Sequence, residues 1–502
     1  MQRRWLTASR EDLIAELERQ ERERAALIAE LERQQHEIER LRREHERADR
    51  DRNRYRDDRD RLRRKIDHLE DQLDDARRKM YRQAAPFSRG VPRSTPRRPG
   101  RRAGRAYGRN AHRAIPAHID EHHHASLPPA CPHCDGPLRR VRTARQYQED
   151  LPVVRPIVRA FTIEIGRCRT CGRRVQGRHP WQTSDALGAA AAQLGPQAVT
   201  LAAVLHTQFG LPLAKVSAVF RDRFGLQVTA GGLVHALHRA ADRASPTYEA
   251  LRAQVRYSDV VTPDETGWKV GGRLQWLWAF ATPNTTVYAI LPGRGYEQAA
   301  AVLGPEFAGT LVRDGWAPYR RFDRAIHQTC LAHLLRRCRM LMSDHREYHF
   351  APRVQDVLRH ALAVRDRYRA GTISAHGLAV ARGHVQNQLN ALIEHPGTRR
   401  VARHFAAHLA VEFPAVFTFL LDPDTIEATN WRAEHALRPA VVTRKVCGGN
   451  RSARGAQTQQ VLSSVLHTMH QRELDATPLF NRLLRSVRPT AVLPPPTAPA
   501  LH

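Results

Sequence analysis

The sequence predicts a multidomain protein of the combined α+β and α/β class, with a long N-terminal coiled coil. The chain has 502 residues, which is more than one hydrophobic core usually organises. Residues 9 to 82 contain neither Gly nor Pro and are rich in Glu, Arg, Asp and Leu. After residue 255, short runs of β-branched and aromatic residues alternate with Gly and Pro, a pattern that is typical of strands.

The charge of the chain limits its partners more than its fold. Lys and Arg number 81 against 51 Asp and Glu, and the net charge is +30. Such a surface attracts polyanions, of which nucleic acids and acidic membranes are the obvious candidates. No uncharged stretch is long and apolar enough to span a membrane, and seven cysteines in so long a chain do not indicate a secreted disulfide scaffold. We therefore expect a cytoplasmic protein that binds nucleic acid.

Residues 1–82 are predicted to form the coiled coil. Apolar residues recur at two heptad positions toward both ends of this segment, whereas His45, Arg52 and Arg59 interrupt the seam in its middle. The first position holds Leu13, Leu27, Leu41, Tyr55, Leu62 and Leu69, and the second holds Leu17, Leu31, Ile38, Ile66, Leu73 and Met80. This spacing favours self-association, and a single solvated charged helix is the alternative.

Residues 83–120 are predicted to be a disordered basic arm. No acidic residue occurs between Asp75 and Asp120, and Gly and Pro interrupt the arginines. Such an arm can follow a DNA groove and release counterions, and a solvated linker without a partner is the alternative. The arginines predicted to contact DNA are Arg97, Arg98, Arg101, Arg102 and Arg105.

Residues 121–185 contain two C-x-x-C knuckles, CPHC at 131–134 and CRTC at 168–171. Zinc prefers four soft ligands in a tetrahedron, and each knuckle supplies two thiolates from a tight turn. The segment YQEDLPVVRPIVRAFTIEIGRC between the knuckles is predicted to be rich in strands. We therefore expect a zinc ribbon with one structural Zn²⁺, bound by Cys131, Cys134, Cys168 and Cys171.

Residues 186–250 are predicted to form successive helices. The helix LAKVSAVFRDRF ends at Gly225, and Thr229 is a suitable N-cap for the helix that follows. Two helices joined by a short turn with Gly are typical of a helix-turn-helix, whose second helix enters the major groove of DNA. An ordinary pair of packed helices is an equally good interpretation.

Residues 251–325 are predicted to consist mainly of strands. Strands are expected in RYSDVVTPDETGWKV, LQWLWAFATP, TTVYAILP and GTLVRDGW, with a helix in YEQAAAVLG before the fourth strand. The first strand is expected to turn at Pro263 and to present Asp264 and Glu265, and the fourth ends at Asp314. If these two strands are neighbours, their carboxylates lie close enough to share a ligand.

Neighbouring carboxylates repel each other unless a cation neutralises them. Mg²⁺ takes oxygen ligands, and two such ions about 3.5–4 Å apart can clamp the attacking and leaving oxygens of a phosphodiester displacement. A third acid usually completes such a site. Residues 326–420 are predicted to be mostly helical, so that the third acid is expected beyond them.

Residues 421–475 are predicted to carry that third acid, and residues 476–502 to form a C-terminal tail. The stretch DPDTIEATNWRAEHALRPAVV is expected to form a helix that starts at Asp424 or Thr425 and stops near Pro439. Glu434 would then lie in the last turns of that helix, with Glu427 two turns earlier on the same face. Spacing alone does not choose between these two glutamates.

Six stretches of the sequence, taken together, resemble the transposases of the insertion-sequence 66 family. They are TPDETGWKV, WLWAF, PGRG, GTLVRDGWAPY, CLAHLLRR and NWRAEHALRPAVVTRKVCGGNRSARGA, in this order. The resemblance implies a ribonuclease-H-like catalytic core of the DDE type, with its first part in residues 251–325 and its second in residues 421–475. A helical insertion, residues 326–420, would separate the two parts. Carried over motif by motif, it implies that Asp264 is the first acid, Asp314 the second and Glu434, ahead of LRP, the third. The family often has two asparagines where this chain has Asn430-Trp431, so that the helix surface beside the third acid differs.

Two further groups have both a functional and an ordinary interpretation. Lys445, Arg451 and Arg454 lie in or near a Gly-rich loop after the third acid, where they can contact DNA phosphates or be surface charge. His327, Cys330 and His333 are spaced as H-x-x-C-x-x-H, which suits a second metal ion or, as the better interpretation, helix packing near the site.

The resemblance implies a DNA transposase in which the three acids hold two Mg²⁺ or Mn²⁺ ions. Such an enzyme cuts the phosphodiester bond at each element end and joins the freed 3′-OH to target DNA. The expected partners are both DNAs, a second copy of the chain through the coiled coil, and accessory proteins of the element, with no membrane. In a bacterium the protein is expected in the cytoplasm, associated with the nucleoid. A sequence-specific DNA-binding regulator, a scaffold built on the coiled coil, and a nuclease of the same fold without strand transfer are the alternatives.

Overall fold

The computed structural model describes residues 9–80, 113–188, 193–490 and 493–494, with the side chains of residues 53, 56, 60 and 63–80 excepted. The chain divides into two compact units after Arg113. Five arginines of the predicted basic arm lie outside the described residues, namely Arg97, Arg98, Arg101, Arg102 and Arg105. In the parts of the chain that the structure describes, no helix is long and apolar enough to cross a membrane.

The first unit contains helix α1 (Arg10–Met80), which runs without a break for 71 residues. Ser9 fixes its start, because the Ser9 Oγ accepts from the Asp12 N–H while the Asp12 carboxylate accepts from the Ser9 N–H, each at 3.2 Å. Charge pairs such as Glu16–Arg19, at 2.7 Å, run along its surface. The long N-terminal helix is therefore confirmed. Its apolar stripe is exposed at Leu17, and the pairing of that stripe in a coiled coil stays a prediction.

The second unit begins with the cysteine segment, residues 131–177. Here β1 (Ile165–Arg167) and β2 (Arg174–Gln176) form a short antiparallel hairpin. The expectation of a strand-rich stretch is wrong for residues 147–164, which have no regular secondary structure. Leu151 is 90% exposed, and the apolar side chains near it are similarly uncovered. Because no second layer covers them, an isolated strand has no apolar face to bury and gains too little to form.

Three helices follow: α2 (Pro196–Thr207), α3 (Leu213–Phe224) and α4 (Ala230–Arg256). The predicted boundary between the last two is confirmed. Gly225 ends α3 in a left-handed conformation with φ of 66°, and the Thr229 Oγ1 caps α4 by accepting from the Gly232 N–H at 3.0 Å. Helix α4 has 27 residues and continues through Pro246. It is long because its inner face, with Leu233, Leu237 and Leu251, stays buried.

A five-stranded mixed sheet forms the centre of this unit. Its strands are β3 (Val260–Val270), β4 (Arg273–Ala281), β5 (Thr286–Leu291), β6 (Thr310–Arg313) and β7 (Ile326–Thr329), in the spatial order β5-β4-β3-β6-β7. The first three are antiparallel, and β6 and β7 run parallel to β3. Helix α5 (Tyr296–Leu303) lies between β5 and β6 in the chain. This topology is compatible with the ribonuclease-H-like core that the resemblance implies.

The contact between β3 and β6 depends on a glycine and ends early. A Cβ at Gly309 would lie 2.5 Å from the Ser258 carbonyl oxygen, so that a larger residue would push the two strands apart. β6 pairs with β3 at Val260 and Val261, and β3 then continues past Pro263 along β4. The predicted turn at Pro263 is therefore wrong. The missing N–H of that proline is tolerated because the β6 side of the ladder has already ended.

Helix α11 (Ala453–Gln471) covers the free edge of β5. Gln460, Ser464 and Thr468 are spaced by four residues on the helix, and each accepts a hydrogen bond from a backbone N–H of β5. Gln460 accepts from the Ile290 N–H at 3.1 Å and Ser464 from the Tyr288 N–H at 2.8 Å. Thr468 accepts from the Thr286 N–H at 3.1 Å. Four residues of helix advance about 6.0 Å and two residues of strand about 6.6 Å, so the two repeats match. The edge is thereby closed to pairing with another strand.

A group of four helices lies between β7 and the end of the core. They are α6 (Leu331–His345), α7 (Phe350–Arg369), α8 (Ala375–Glu394) and α9 (Arg400–Val416). They share a core that includes Leu358, Leu389 and Phe405. Strand β7 lies at the start of the range predicted as the helical insertion, so the sheet extends to Thr329. Its sequence IHQT is too short and too polar to show a strand pattern.

Helix α10 (Trp431–Cys447) differs from its prediction at both ends. It starts after Asn430 rather than at Asp424 or Thr425, and it continues through Pro439 instead of stopping there. Its buried face, including Leu437, packs on Trp268 and Leu277 of the sheet, and this packing holds the helix together across the proline. Helix α12 (Ala476–Arg485) completes the unit and buries Leu479, Phe480 and Leu483 with α2 and α4.

Candidate active site

The three predicted acids come from three different elements of the core. Asp264 lies within β3, beyond its parallel pairing with β6. Asp314 directly follows β6, and Glu434 lies in the first turn of α10. The charges of Asp314 and Glu434 both raise the pKa of Asp264, so the three side chains share one region. The expectation that the first and fourth strands of the core are neighbours holds, since β3 and β6 are adjacent.

Asp264 carries the most perturbed carboxyl group of the three. Its pKa is raised to about 7, first by burial and then by the charge of Glu265, with smaller contributions from Asp314 and Glu434. The only stabilising contribution among the leading ones is the Glu265 N–H, which donates to Oδ1 at 3.0 Å. Added positive charge would therefore favour the ionised carboxylate at this position.

Glu265 is buried, with 2% of its side chain exposed, and both of its oxygens already have partners. Oε1 accepts from Arg294 at 2.8 Å, and Oε2 accepts from the Tyr319 hydroxyl at 2.8 Å. Its pKa is raised by burial, against the opposing effects of Tyr319 and Arg294. Of the two adjacent acids, Glu265 is thus used to link β3 to the segment after β6, and Asp264 is not.

The segment after β6 is held in a defined conformation. Asp314 Oδ1 accepts from the Trp316 N–H at 3.0 Å, which closes a tight turn on the acid. The Trp316 indole N–H donates to the Arg294 carbonyl at 3.1 Å. The Arg294 guanidinium lies over the Trp316 ring, 4.0 Å from its centroid, and also over Trp276. Arg294 therefore joins the first acidic segment to the second.

Glu434 is partly exposed, at 39% of its side chain. His333 Nε2 and an Arg336 nitrogen each lie 3.9 Å from its Oε1. Its helix is anchored to the sheet, because the buried Tyr288 hydroxyl donates to the Ala436 carbonyl at 2.6 Å. Glu427, the alternative third acid, lies before the helix rather than within it and pairs with Arg432 at 3.3 Å.

The three residues of the H-x-x-C-x-x-H motif point to different partners. His327 Nε2 bonds to the Phe322 carbonyl at 2.9 Å, and His333 faces Glu434. The Cys330 thiol donates to Asn430 Oδ1 at 3.1 Å, and so joins the start of α6 to the N-cap of α10. This geometry favours the packing interpretation, with Cys330 helping to place the turn that carries Glu434.

The four predicted zinc ligands lie in two local turns. Cys131 and Cys134 are joined by a backbone turn, in which Asp135 adopts φ of 56°. Cys168 and Cys171 occupy the turn of the β1–β2 hairpin, closed by the Gly172 N–H on the Cys168 carbonyl at 2.9 Å. Hydrogen bonds from the Cys171 and Thr170 backbones lower the pKa of Cys168 to about 7. Each turn therefore favours the thiolate form that binds zinc.

Neither set of ligands is assembled around a common point. Among the described residues, no three His, Cys, Asp or Glu side chains lie close enough together to hold a metal ion. The donor chemistry nevertheless fits the expected ions. A buried carboxylate whose pKa is raised by neighbouring acids, as in Asp264, suits a hard divalent cation. A thiol of lowered pKa in each cysteine turn, Cys131 in one and Cys168 in the other, suits zinc.

The predicted DNA-contacting cations near α10 differ in their surroundings. Arg454 forms an ion pair with Asp242 of α4 and a hydrogen bond to Gln457. Arg451 lines an open pocket with Lys269, beside Gly448 and Gly449 of the loop before α11. Lys445 lies in the last turn of α10. Arg451 is thus the cation of this group with the most suitable position for a phosphate.

No pattern in the sequence indicated the residues that order the acidic segments. Arg294 and Tyr319 lie in the PGRG and APY stretches, which carry part of the family resemblance without pointing to either residue. Both act through contacts between distant segments, with Glu265 as the common acceptor. A polar side chain in a short run with Gly or Pro is the only sequence signal they carry, and it is too common to be diagnostic.

The comparison with known families agrees with the resemblance. Residues 191–458 match the model of the family described as "Transposase IS66 family". This span is more than half of the chain, and it contains Asp264, Asp314 and Glu434. The comparison with curated proteins found no match to the chain. The chain therefore belongs to the IS66 family of transposases.

Proposed function

We propose that this transposase cuts the phosphodiester bond at the ends of its element and joins the freed 3′-OH to target DNA. Asp264, Asp314 and Glu434 are the proposed catalytic residues. The observation that carries the proposal is the raised pKa of Asp264, to which burial and the charge of Glu265 contribute most and the charges of Asp314 and Glu434, on two other segments, contribute further. Carboxylates of this kind occur where a divalent cation is held, and perturbed pKa values concentrate at functional sites.

The three acids would hold two Mg²⁺ or Mn²⁺ ions. When bound, the ions would supply positive charge to the attacking and leaving oxygens and lower the pKa of the attacking water. The contribution of the chain is to keep the acids in place. Glu265, with Arg294 and Tyr319, ties β3 to the segment of Asp314, while Tyr288 and Cys330 tie α10 to the rest of the core. No covalent bond between protein and DNA is needed.

Other parts of the chain are proposed to bring the DNA to these acids. The net charge of +30 provides non-specific attraction to phosphates, and the basic arm at residues 83–120 and Arg451 are candidates for direct contacts. Helices α3 and α4 are proposed to read DNA as a helix-turn-helix. The cysteine segment is proposed to be a zinc ribbon, and α1 to pair two copies of the chain so that both element ends are held together.

The test is strand cleavage of DNA that carries an element end, in Mg²⁺ or Mn²⁺. Asp264→Asn is expected to reduce the cleavage rate by about 10⁴-fold or more while DNA binding is retained. Asp259→Asn is the matched control, since Asp259 is an exposed acid immediately before the same strand, and it should cleave like the wild type. Equal cleavage by wild type and Asp264→Asn would overturn the proposal.

Strand transfer requires a separate measurement. A pre-cleaved element end with a free 3′-OH is mixed with a supercoiled target plasmid, and joined products are counted. We expect joining that depends on Asp264. Cleavage without joining would instead identify a nuclease of the same fold.

A further inference from the structure

One buried carboxylate of the helical insertion has no role in the site described so far. Glu412 of α9 is fully buried, with 0% of its side chain exposed. Its Oε2 accepts from Arg313 at 2.6 Å and from the Thr329 hydroxyl at 2.6 Å, and its Oε1 accepts from Arg320 at 2.7 Å. Burial raises the pKa of Glu412, but Arg313, Thr329 and Arg320 together bring it below its usual range.

The partners of Glu412 come from three elements that surround the second acid. Arg313 is the last residue of β6, Thr329 is the last residue of β7, and Arg320 lies in the 3₁₀-helix Ala317–Arg321. A buried charge is costly unless every oxygen has a partner, and here each oxygen has one. The insertion is therefore joined to the sheet by a satisfied ionic network in addition to apolar packing.

The same network contacts the backbone of the acidic turn. The Arg313 guanidinium that binds Glu412 also donates to the Asp314 carbonyl at 2.9 Å. Arg320 reaches the Gly315 carbonyl at 3.5 Å. His408, one helical turn before Glu412 on the same face of α9, lies so close to Gly315 that a Cβ there would be 3.0 Å from its Cε1.

We propose that the His408–Glu412 face of α9 is a positioning element for Asp314, so that the helical insertion supplies part of the active site. This inference rests on the proposed role of Asp314 in DNA cleavage. Without Glu412, Arg313 and Arg320 lose the carboxylate that fixes them, and the carbonyls of Asp314 and Gly315 lose two fixed donors. The acid remains present but is no longer held where the reaction needs it, and a displacement of 1 Å can cost about 100-fold in rate.

A second buried glutamate of the insertion provides a matched control. Glu347 has 1% of its side chain exposed, pairs with Arg399 at 3.3 Å, and accepts from the His349 and Phe350 N–H groups. It makes none of these contacts with the acidic turn. Glu347→Gln and Glu412→Gln therefore both neutralise a buried, arginine-paired carboxylate, and only the second should disturb Asp314.

The experiment compares the full-length variants in three measurements: the kcat of element-end cleavage, DNA binding, and hydrogen exchange of residues 313–321. Glu412→Gln is expected to lower kcat by about 100-fold, with unchanged DNA binding and faster exchange of the Trp316 amide, which bonds to Asp314. Glu347→Gln should change neither kcat nor that exchange. Arg320→Gln is a second variant that leaves the buried Arg313–Glu412 pair intact, and it should show a smaller loss of kcat in the same direction.

Two outcomes overturn the inference. One is a Glu412→Gln protein that folds, with kcat and Trp316 exchange equal to those of Glu347→Gln. The other is a Glu412→Gln protein that does not fold, accompanied by an Arg320→Gln protein with wild-type kcat and exchange. Failure of the proposed function can be distinguished from these two outcomes. In that case the wild type would show no cleavage that depends on Asp264, whatever the rate of hydrogen exchange at the Trp316 amide.

Discussion

Two regions of this protein are expected to bind metal, and they are built in opposite ways. In the cysteine segment, each pair of ligands lies within four residues of chain, and two three-residue strands are its regular structure. In the acidic site, the three ligands come from β3, the end of β6 and α10, which are distant in the sequence and are joined by buried contacts.

This difference shows where the order of each region comes from. The turns that hold the cysteines form from local hydrogen bonds, but among the described residues no buried contact brings the two pairs together, since apolar side chains such as Leu151 remain exposed. Zinc would have to supply that order, as it does in small metal-dependent domains. The acidic site takes its order from a packed core, and Glu265 with 2% exposure is part of it. A metal would complete the acidic site, whereas it would fold the cysteine segment.

The largest expected effect is on the cysteine segment. Replacing Cys168 with Ser should remove the bound zinc and, with it, about 10 kcal/mol of metal-coupled folding free energy. Hydrogen exchange of Ile165–Gln176 should become fast while that of β3 to β5 stays slow. Zinc content per chain is the accompanying measurement.

Cys447→Ser is the control for that experiment, because Cys447 is exposed and lies in α10, away from both turns. It should retain the zinc of the wild type. If Cys168→Ser also retained it, the zinc ribbon would be the wrong interpretation, and the contrast between the two regions would disappear.

A smaller effect is expected when the carboxylate of Glu265, which links the segments of the acidic site, is removed. Glu265→Ala leaves Arg294 and Tyr319 without their acceptor and should destabilise the second unit by about 3 kcal/mol. This is the low end for a buried ion pair, because Arg294 keeps 35% of its side chain exposed. Urea unfolding followed by tryptophan fluorescence measures the change.

Glu306→Ala is a suitable comparison for Glu265→Ala, since the Glu306–Arg324 pair at 2.7 Å is exposed on both sides and should contribute less than about 1 kcal/mol. Equal stability of the two variants would show that the acidic site does not depend on its buried contacts, contrary to the comparison above.

A fall in pH should lower the stability of the packed core that holds the acidic site, because of His467 of α11. Burial, with smaller contributions from His470 and His435, lowers the pKa of His467 to about 4, and its Nδ1 lies 3.2 Å from the Tyr288 hydroxyl. A histidine whose folded pKa is lowered stabilises the protein above its unfolded pKa of 6.5. That stability, about 3 kcal/mol, is lost as the pH falls from 6.5 to 4.

His467→Gln should therefore flatten the loss of stability between pH 6.5 and 4, as measured by thermal unfolding of the second unit. The exposed His470→Gln, one turn away on the same helix, should leave the loss nearly unchanged. If the stability of His467→Gln fell with pH as steeply as that of the wild type, the acid sensitivity would belong to other groups. Zinc release from the cysteine turns should be the same in both variants.

Much of the fold followed from local patterns in the sequence. The uninterrupted charged helix, the boundary at Gly225 and Thr229, and the order of three antiparallel strands, helix and fourth strand were all predicted correctly, because each depends on residues near in the chain. The errors arose where distant packing overrode a local signal. Pro263 and Pro439 were expected to end their elements, but the sheet and the buried face of α10 continue through both.

In the cysteine segment the error was of the opposite kind, because the predicted strands did not form in residues 147–164. Its alternating apolar residues indicate strands, yet no partner layer covers them in the second unit, so the pattern alone was insufficient. The start of α10 was also missed, and with it the position of Glu434, which lies in the first turn of the helix rather than the last.

The sequence by itself determined the chemistry available to this transposase: a strongly basic chain, two pairs of cysteines, and acids at the ends of strand-like and helix-like runs. Only the tertiary structure decided which of the two adjacent acids, Asp264 and Glu265, has both carboxylate oxygens bound to other side chains. It also decided which elements pack against each acid. Glu265 and Glu412 are ordinary glutamates in the sequence, and their partners are brought to them by β6, β7 and the segments that follow. The physical reason is that burial and ion pairing depend on distances between segments far apart in the chain, which local residue patterns do not encode.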